Sequence, residues 1–287
     1  MLPNPSSNPS NIEASPNNNE FRPPGFRTTL IIPGFTWGES SMEQFTDKFR
    51  EQKCDATSVI VGDIYDKKIT EFSDFSELGL SPQNATERLA AQVLTTIHSK
   101  GLENEPLDVV AFSYGALIYD AVVRMSQPLG WKAFIPEDEK DARSVVFMGP
   151  SGSMERDSTL AIMGRYAKNV GKLAMQAKTR KDIRSPLVDQ QKRLFSEPIH
   201  RLEEAARLGK DSVDYKGLAA QHINVHVLGF NNDDVFPADR VNEYVATKQS
   251  EGSPIGISYV LDKNASHSSP LLNPETSAGA VLQLLRS

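Results

Sequence analysis

The chain reads as an α/β protein with a mostly parallel sheet of about six strands flanked by helices. Three observations predict it. From Arg27 onward, short apolar runs rich in β-branched residues are separated by helical stretches, the alternation expected when parallel strands are covered by helices on both faces. Between the second and third of these runs, Leu89, Val93 and Ile97 recur four apart, and a strand-helix-strand unit forces its two strands to lie parallel. At 287 residues, the chain is also long enough to take roughly 75% of its unfolded surface out of water around one core.

The first 25 residues are rich in Asn, Pro and Ser and are expected to form a disordered tail. They hold neither a basic cluster nor an apolar core, so they do not read as a secretory signal, and a cytoplasmic site is expected. The α/β core is expected over residues 26–151 and 218–287, with strands at 28–32, 56–61, 107–112, 144–148, 223–228 and 256–261. Asn84 and Glu87 have the spacing of a capping box at the start of the helical stretch 84–99. Residues 152–217 depart from the alternation. Stretches 160–177 and 186–208 read as amphipathic helices with many Lys and Arg, and the segment is expected to be an inserted helical cap. Within it, Met154, Leu160, Met163 and Met175 are expected to pack as core, or else to form an adaptable apolar wall for a ligand. The basic residues from Lys178 to Arg184 read as a solvated helix end. No internal repeat occurs at periods of 20 to 50 residues.

Net charge is −6, with acidic and basic residues interspersed. No basic face of the kind that neutralises phosphates stands out, so nucleic acid is not an expected partner. No stretch approaches the roughly 18 consecutive apolar residues that span a bilayer, so stable membrane insertion is not expected. The single cysteine, Cys54, rules out an intramolecular disulfide and a Cys-rich metal site. It reads as a small buried thiol just ahead of a strand.

The run 107–112 leads directly into Ser113-Tyr114-Gly115-Ala116 and then a helical stretch, 117–125. A serine on so sharp a strand-to-helix turn needs small residues two before and two after it, and Ala111 and Gly115 fill those places. The turn sets the serine at a helix N-terminus, where the dipole favours negative charge. A serine hydroxyl is a poor nucleophile unless a base takes its proton, and that base must be held in one tautomer by an acid. Of the five histidines, His98 lies in a helical stretch, His200 in the insertion, and His222 and His226 before and within the fifth strand. His267 follows the last strand, at the same carboxyl edge of the sheet as Ser113. The acid is expected between them in chain order, in the polar turn 229–237, which offers both Asp233 and Asp234; turn chemistry alone also favours Asp there. An oxyanion hole needs two backbone N–H groups. Tyr114 supplies one directly after the serine, and Phe35 the other, in the tight Pro33-Gly34-Phe35-Thr36-Trp37-Gly38 turn after the first strand.

Pro33-Gly34-Phe35, Ala111-Phe112-Ser113-Tyr114-Gly115, residues 229–237 and Ser266-His267 together resemble the α/β-hydrolase superfamily, over roughly Arg27 to Leu285. The resemblance implies a compact α/β-hydrolase core with Ser113 as nucleophile, His267 as general base and Asp233 as the acid. Asp233 is favoured because Pro237 stands four residues after it, as in the usual acid loop; Asp234 is the alternative. Two positions depart from the family pattern: Pro33-Gly34 replaces the usual His-Gly pair, and Ala111 the first glycine of the elbow. Neither removes a backbone donor. The implied activity is esterase- or lipase-like, cleaving carboxylic esters, acyl glycerols or thioesters through an acyl-enzyme. A small-molecule acyl substrate is implied, and neither a metal nor an organic cofactor. An acyltransferase using the same residues, or a non-catalytic ligand-binding protein on the same fold, are the alternatives.

Overall fold

The structure, a computed structural model, describes residues 27–53, 59–61, 75–136, 142–151, 157–260 and 264–287. Its strands are β1 (Thr28–Ile32), β2 (Val59–Val61), β3 (Leu107–Phe112), β4 (Arg143–Met148), β5 (Ile223–Phe230) and β6 (Ile255–Val260). They form one sheet in the order β2-β1-β3-β4-β5-β6, every neighbouring pair parallel. Each expected strand is present with small shifts at its ends. β5 runs on through Gly229 and Phe230, which pair with Tyr259 and Val260. Residues 56–58 and Leu261 lie outside the described residues, as do Cys54, Met154 and the N-terminal tail.

The helices are α1 (Glu39–Lys53), α2 (Ala85–Ser99), α3 (Gly115–Ser126), α4 (Thr159–Gln176), α5 (Arg184–Ser196), α6 (Pro198–Leu208), α7 (Tyr215–Ala220), α8 (Ala238–Ser250), α9 (Ser269–Leu272) and α10 (Pro274–Leu285). Alternation along the strands divides the core in two. Leu30, Ile32, Val109, Ala111, Val145 and Phe147 pack with residues of α2 and α3. Ile31, Val110, Phe112, Val146 and Met148 pack with residues of α1 and α10. The chain therefore leaves β1 for one face of the sheet and the adjacent β3 for the other. The two connections diverge at the carboxyl ends of the strands, where an open parallel sheet takes its ligands.

Local signals behave as the sequence implies at the start of α2. Asn84 accepts from the Glu87 amide at 3.0 Å, and the Glu87 carboxylate accepts from the Gln83 amide at 2.7 Å. The capping box thus closes one residue earlier than the Asn84 amide.

Between β4 and β5, two expectations need correction. The stretch 186–208 is not one helix: it breaks at Glu197 (φ −139°, ψ 68°) before Pro198 opens α6. A residue preceding proline is pushed out of the α region, which is the cause of the break. The core packing expected of the insertion's Met and Leu residues also holds only in part. α4 buries Ile162, Tyr166, Asn169 and Leu173, and Leu160 and Met175, each two residues beyond that stripe, turn to the other side of the helix and are 84% and 64% exposed. Met163 alone of the described members packs against the core. The basic stretch closes the end of α4: the Arg184 guanidinium donates to the Ala177 and Lys178 carbonyls, and Arg180 pairs with Asp182. Among the described residues, no helix is long and apolar enough to cross a membrane.

Two glycines test this packing in opposite directions. A Cβ on Gly115 would stand 2.5 Å from the Ile32 carbonyl oxygen and 3.0 Å from that of Pro33, whereas a Cβ on Gly164, within α4, meets nothing within 4 Å. Gly115→Ala is expected to cost about 1–3 kcal/mol by forcing α3 off β1. Gly164→Ala is expected to add about 0.5–1 kcal/mol. Urea denaturation midpoints measure both.

Candidate active site

Ser113 follows β3 with φ of 54°, the left-handed region that L-residues other than Gly, Asn and Asp enter at a cost. Its surroundings hold it there. The Ser113 amide donates to the Met148 carbonyl at 2.9 Å, which extends the β3–β4 pairing by one step. Its carbonyl accepts from the amides of Ala116 and Ser151 and from the Ser151 hydroxyl, at 3.1–3.2 Å. The close approach needs small residues: a Cβ on Gly34 would stand 2.8 Å from Ser113 Cβ. Ala111 is fully buried.

His267 Nε2 lies 3.0 Å from Ser113 Oγ, and His267 Nδ1 lies 2.9 Å from Asp233 Oδ2. The three residues are 5%, 1% and 6% exposed for Ser113, His267 and Asp233, so water competes little for these bonds. Phe112 and Phe236 hold the imidazole between them, their ring centroids 5.0 and 5.2 Å away. Asp233 Oδ1 accepts from the Val235 and Phe236 amides at 2.7 and 2.8 Å, which fixes the carboxylate and leaves Oδ2 for the histidine. The neighbouring Asp234 faces away, to the ammonium groups of Lys172 and Lys168. The hydrogen bond from Lys172 is the largest influence holding its carboxyl below the usual range. Of the two acids left open by the sequence, the structure brings Asp233 to the histidine.

The other histidines lie elsewhere. His98 meets Glu103 at 2.5 Å and stacks on Trp131, and His226 stands on β5, its pKa lowered by burial. Phe35 and Tyr114, the expected backbone donors, both lie beside Ser113 in sequence or space, and their rings meet edge to face at 6.4 Å. Tyr114 caps the N-terminus of α3, where amides have no partner within the helix. Among the described residues, neither of these two amides donates to a protein acceptor.

Several residues at this edge carry no sequence signal strong enough to single them out. Gly149, after β4, has φ of 50°, and a Cβ there would stand 3.2 Å from Asp233 Oδ2 and 3.3 Å from His267 Nδ1. A glycine directly after an apolar strand is the only hint of this. From α4, the Tyr166 hydroxyl bonds Thr36 Oγ1 at 2.7 Å, and Asn169 Nδ2 donates to Ser268 Oγ at 2.9 Å.

No family model matches the chain, and no curated relative matches it. Solved structures do. An esterase from Exiguobacterium antarcticum is 10% identical, with a TM-score of 0.58 over 91% of this chain and 92% of that one. A bromoperoxidase from Bacillus anthracis is 16% identical, with a TM-score of 0.58 over 91% and 92%. A thermophilic esterase from Thermogutta terrifontis is 17% identical, with a TM-score of 0.54 over 90% and 89%. At such identities the likeness is one of fold.

The two adjacent carboxylates differ in what their removal should do. Asp234 has a depressed pKa when folded, so its contribution to stability is present above the unfolded carboxyl pKa and is lost as pH falls through the folded value. Asp234→Asn is expected to cost less than about 1 kcal/mol at pH 7, because the pair is partly exposed. The difference from the parent should shrink as the pH of the melt falls below the ordinary carboxylate range and through the lower folded value, and should also shrink in high salt.

Proposed function

We propose that this chain, which has the α/β-hydrolase fold, is a serine hydrolase that cleaves carboxylic esters through an acyl-enzyme on Ser113. The observation that carries the reading is the run of buried hydrogen-bonding groups from Ser113 Oγ through both nitrogens of His267 to Asp233 Oδ2, at 3.0 and 2.9 Å. In this mechanism, Ser113 Oγ bonds to the ester carbonyl carbon while its proton passes to His267 Nε2. The carbonyl electron pair moves to oxygen, and the amides of Phe35 and Tyr114 receive the resulting negative charge. Collapse of the tetrahedral species breaks the ester C–O bond, and the leaving alkoxide takes the proton from His267. Water then attacks the acyl-enzyme by the same route, which releases the carboxylic acid and returns the proton to Ser113.

Asp233 has two tasks in this scheme. It keeps the proton of neutral His267 on Nδ1, so that Nε2 is free to accept, and it balances the positive charge of the imidazolium that follows. The helices of residues 157–217 are its cap, and the substrate is a small acyl compound. Two of the structural neighbours are named esterases, which agrees with the reading.

Time-resolved hydrolysis of p-nitrophenyl esters from acetate to palmitate tests it. The parent is expected to turn over repeatedly and Ser113→Ala to remain at background; a parent no faster than Ser113→Ala would sink the proposal. Asp233→Asn makes a sharper prediction. The Val235 and Phe236 amides would hold the Asn carbonyl oxygen where they now hold Oδ1. The Asn amide nitrogen would then donate to His267 Nδ1 and drive the ring proton onto Nε2, the wrong tautomer. A loss of about 10⁴-fold in kcat is expected, as for the same change in serine proteases.

A further inference from the structure

We infer that one turn of α4 positions both halves of the proposed catalytic edge, Tyr166 holding the oxyanion loop and Asn169 the histidine loop. The inference rests on the serine hydrolase reading above and adds two positioning residues to it. Tyr166 and Asn169 are three apart, so they share a face of α4. That face is otherwise apolar and buried, with Ile162 and Leu173 on either side. A phenol and an amide in such a stripe are costly unless they find partners. Their partners are the two loops that flank Ser113.

Tyr166 contacts the loop after β1 at the residues that matter most. Its hydroxyl bonds Thr36 Oγ1 at 2.7 Å and lies 3.4 Å from the Phe35 carbonyl oxygen, and it accepts from Gln190 Nε2 of α5 at 2.7 Å. Its ring meets Phe35 edge to face at 5.5 Å. Thr36 has φ of 58°, a conformation a β-branched residue keeps only when its neighbours hold it there. With the hydroxyl gone, Thr36 loses the side-chain bond from α4 that opposes its relaxation. Because Thr36 is joined directly to Phe35, its relaxation shifts the Phe35 amide, the proposed oxyanion donor. Burial pushes the Tyr166 phenol up to about 12, so the hydroxyl keeps its proton at any ordinary assay pH.

Asn169 acts on the opposite side. Its side chain donates to Ser268 Oγ at 2.9 Å, and Ser268, 1% exposed, is the residue after His267. The bond ties the backbone that carries the imidazole to the same helix turn that carries Tyr166. The distance between base and oxyanion donor is thereby set through α4 as well as through the sheet.

The test uses the full chain with Tyr166→Phe, Asn169→Ala, Ser268→Ala and the Asn169→Ala/Ser268→Ala double variant. Two readouts are taken: kcat and KM for p-nitrophenyl butyrate, and the rate at which an alkyl fluorophosphonate labels Ser113. In labelling, the Ser113 Oγ–P bond forms, the P–F bond breaks with loss of fluoride, and the serine proton goes to His267. Tyr166→Phe is expected to lower kcat and labelling at least about tenfold, less than outright loss of an oxyanion donor. KM should stay within about twofold, and the ratio to the parent should be constant from pH 6 to 9. Asn169→Ala and Ser268→Ala should each lower both rates, and the double variant should be no worse than the singles, since all three remove one bond. Ser268→Ala, which deletes one atom, stands in if Asn169→Ala does not fold. Parent-like labelling by Tyr166→Phe, or losses that multiply in the double variant, would overturn the inference while the hydrolase reading stands. A parent inert to both reagents fails the hydrolase reading itself.

Discussion

Everything at the carboxyl edge of the sheet depends on the left-handed backbone of Ser113, with φ of 54°. A residue in that region is stable only when the structure around it leaves no alternative, and the bonds to Met148, Ala116 and Ser151 supply that restraint. The conformation throws the hydroxyl above the strand ends and draws neighbouring backbone inward. Gly34, Gly115 and Gly149, at the ends of β1, β3 and β4, sit where an added Cβ would meet Ser113, the Ile32 carbonyl or the Asp233–His267 pair. The chain diverges between β1 and β3 at this same edge, the place where an open parallel sheet generally takes its ligands.

The same edge assigns different environments to two adjacent carboxylates. Asp233 is buried and bonded to two amides of its own loop as well as to His267, whereas Asp234 lies against two lysines of α4. The amide bonds of Asp233 are ordinary turn chemistry. Turn chemistry and a functional role are therefore not rival explanations of this residue, because Oδ1 serves the turn and Oδ2 the histidine.

Much of this was legible in the sequence, for a physical reason. Buried parallel strands are continuous apolar runs, so all six could be placed, and residues that follow such runs on a parallel sheet must gather at one edge. Ser113, His267, the Phe35 loop and the pair Asp233 and Asp234 were placed at that edge in this way, while the preference for Asp233 over Asp234 came from the family resemblance. What could not be read came from contacts set by the packing of the insertion. Tyr166 and Asn169 look like any members of an amphipathic helix until α4 is docked, and the polar Asn169 in an otherwise apolar stripe is the sole trace of its role. Leu160 and Met175 failed for the converse reason: helical spacing does not fix which face of an isolated helix is inward, and α4 turned both to solvent.

Once docked, α4 packs directly onto the loops of that edge. Arg165 donates to the Val235 carbonyl, Tyr166 meets Thr36, Lys168 and Lys172 meet Asp234, and Asn169 meets Ser268. Two turns of one helix thus reach the loops after β1, β5 and β6, which carry the Phe35 amide, Asp233 and His267. Interiors this tightly packed transmit a shift rather than absorb it. A displacement of α4 would therefore reach the loops that carry the Phe35 amide, Asp233 and His267 together.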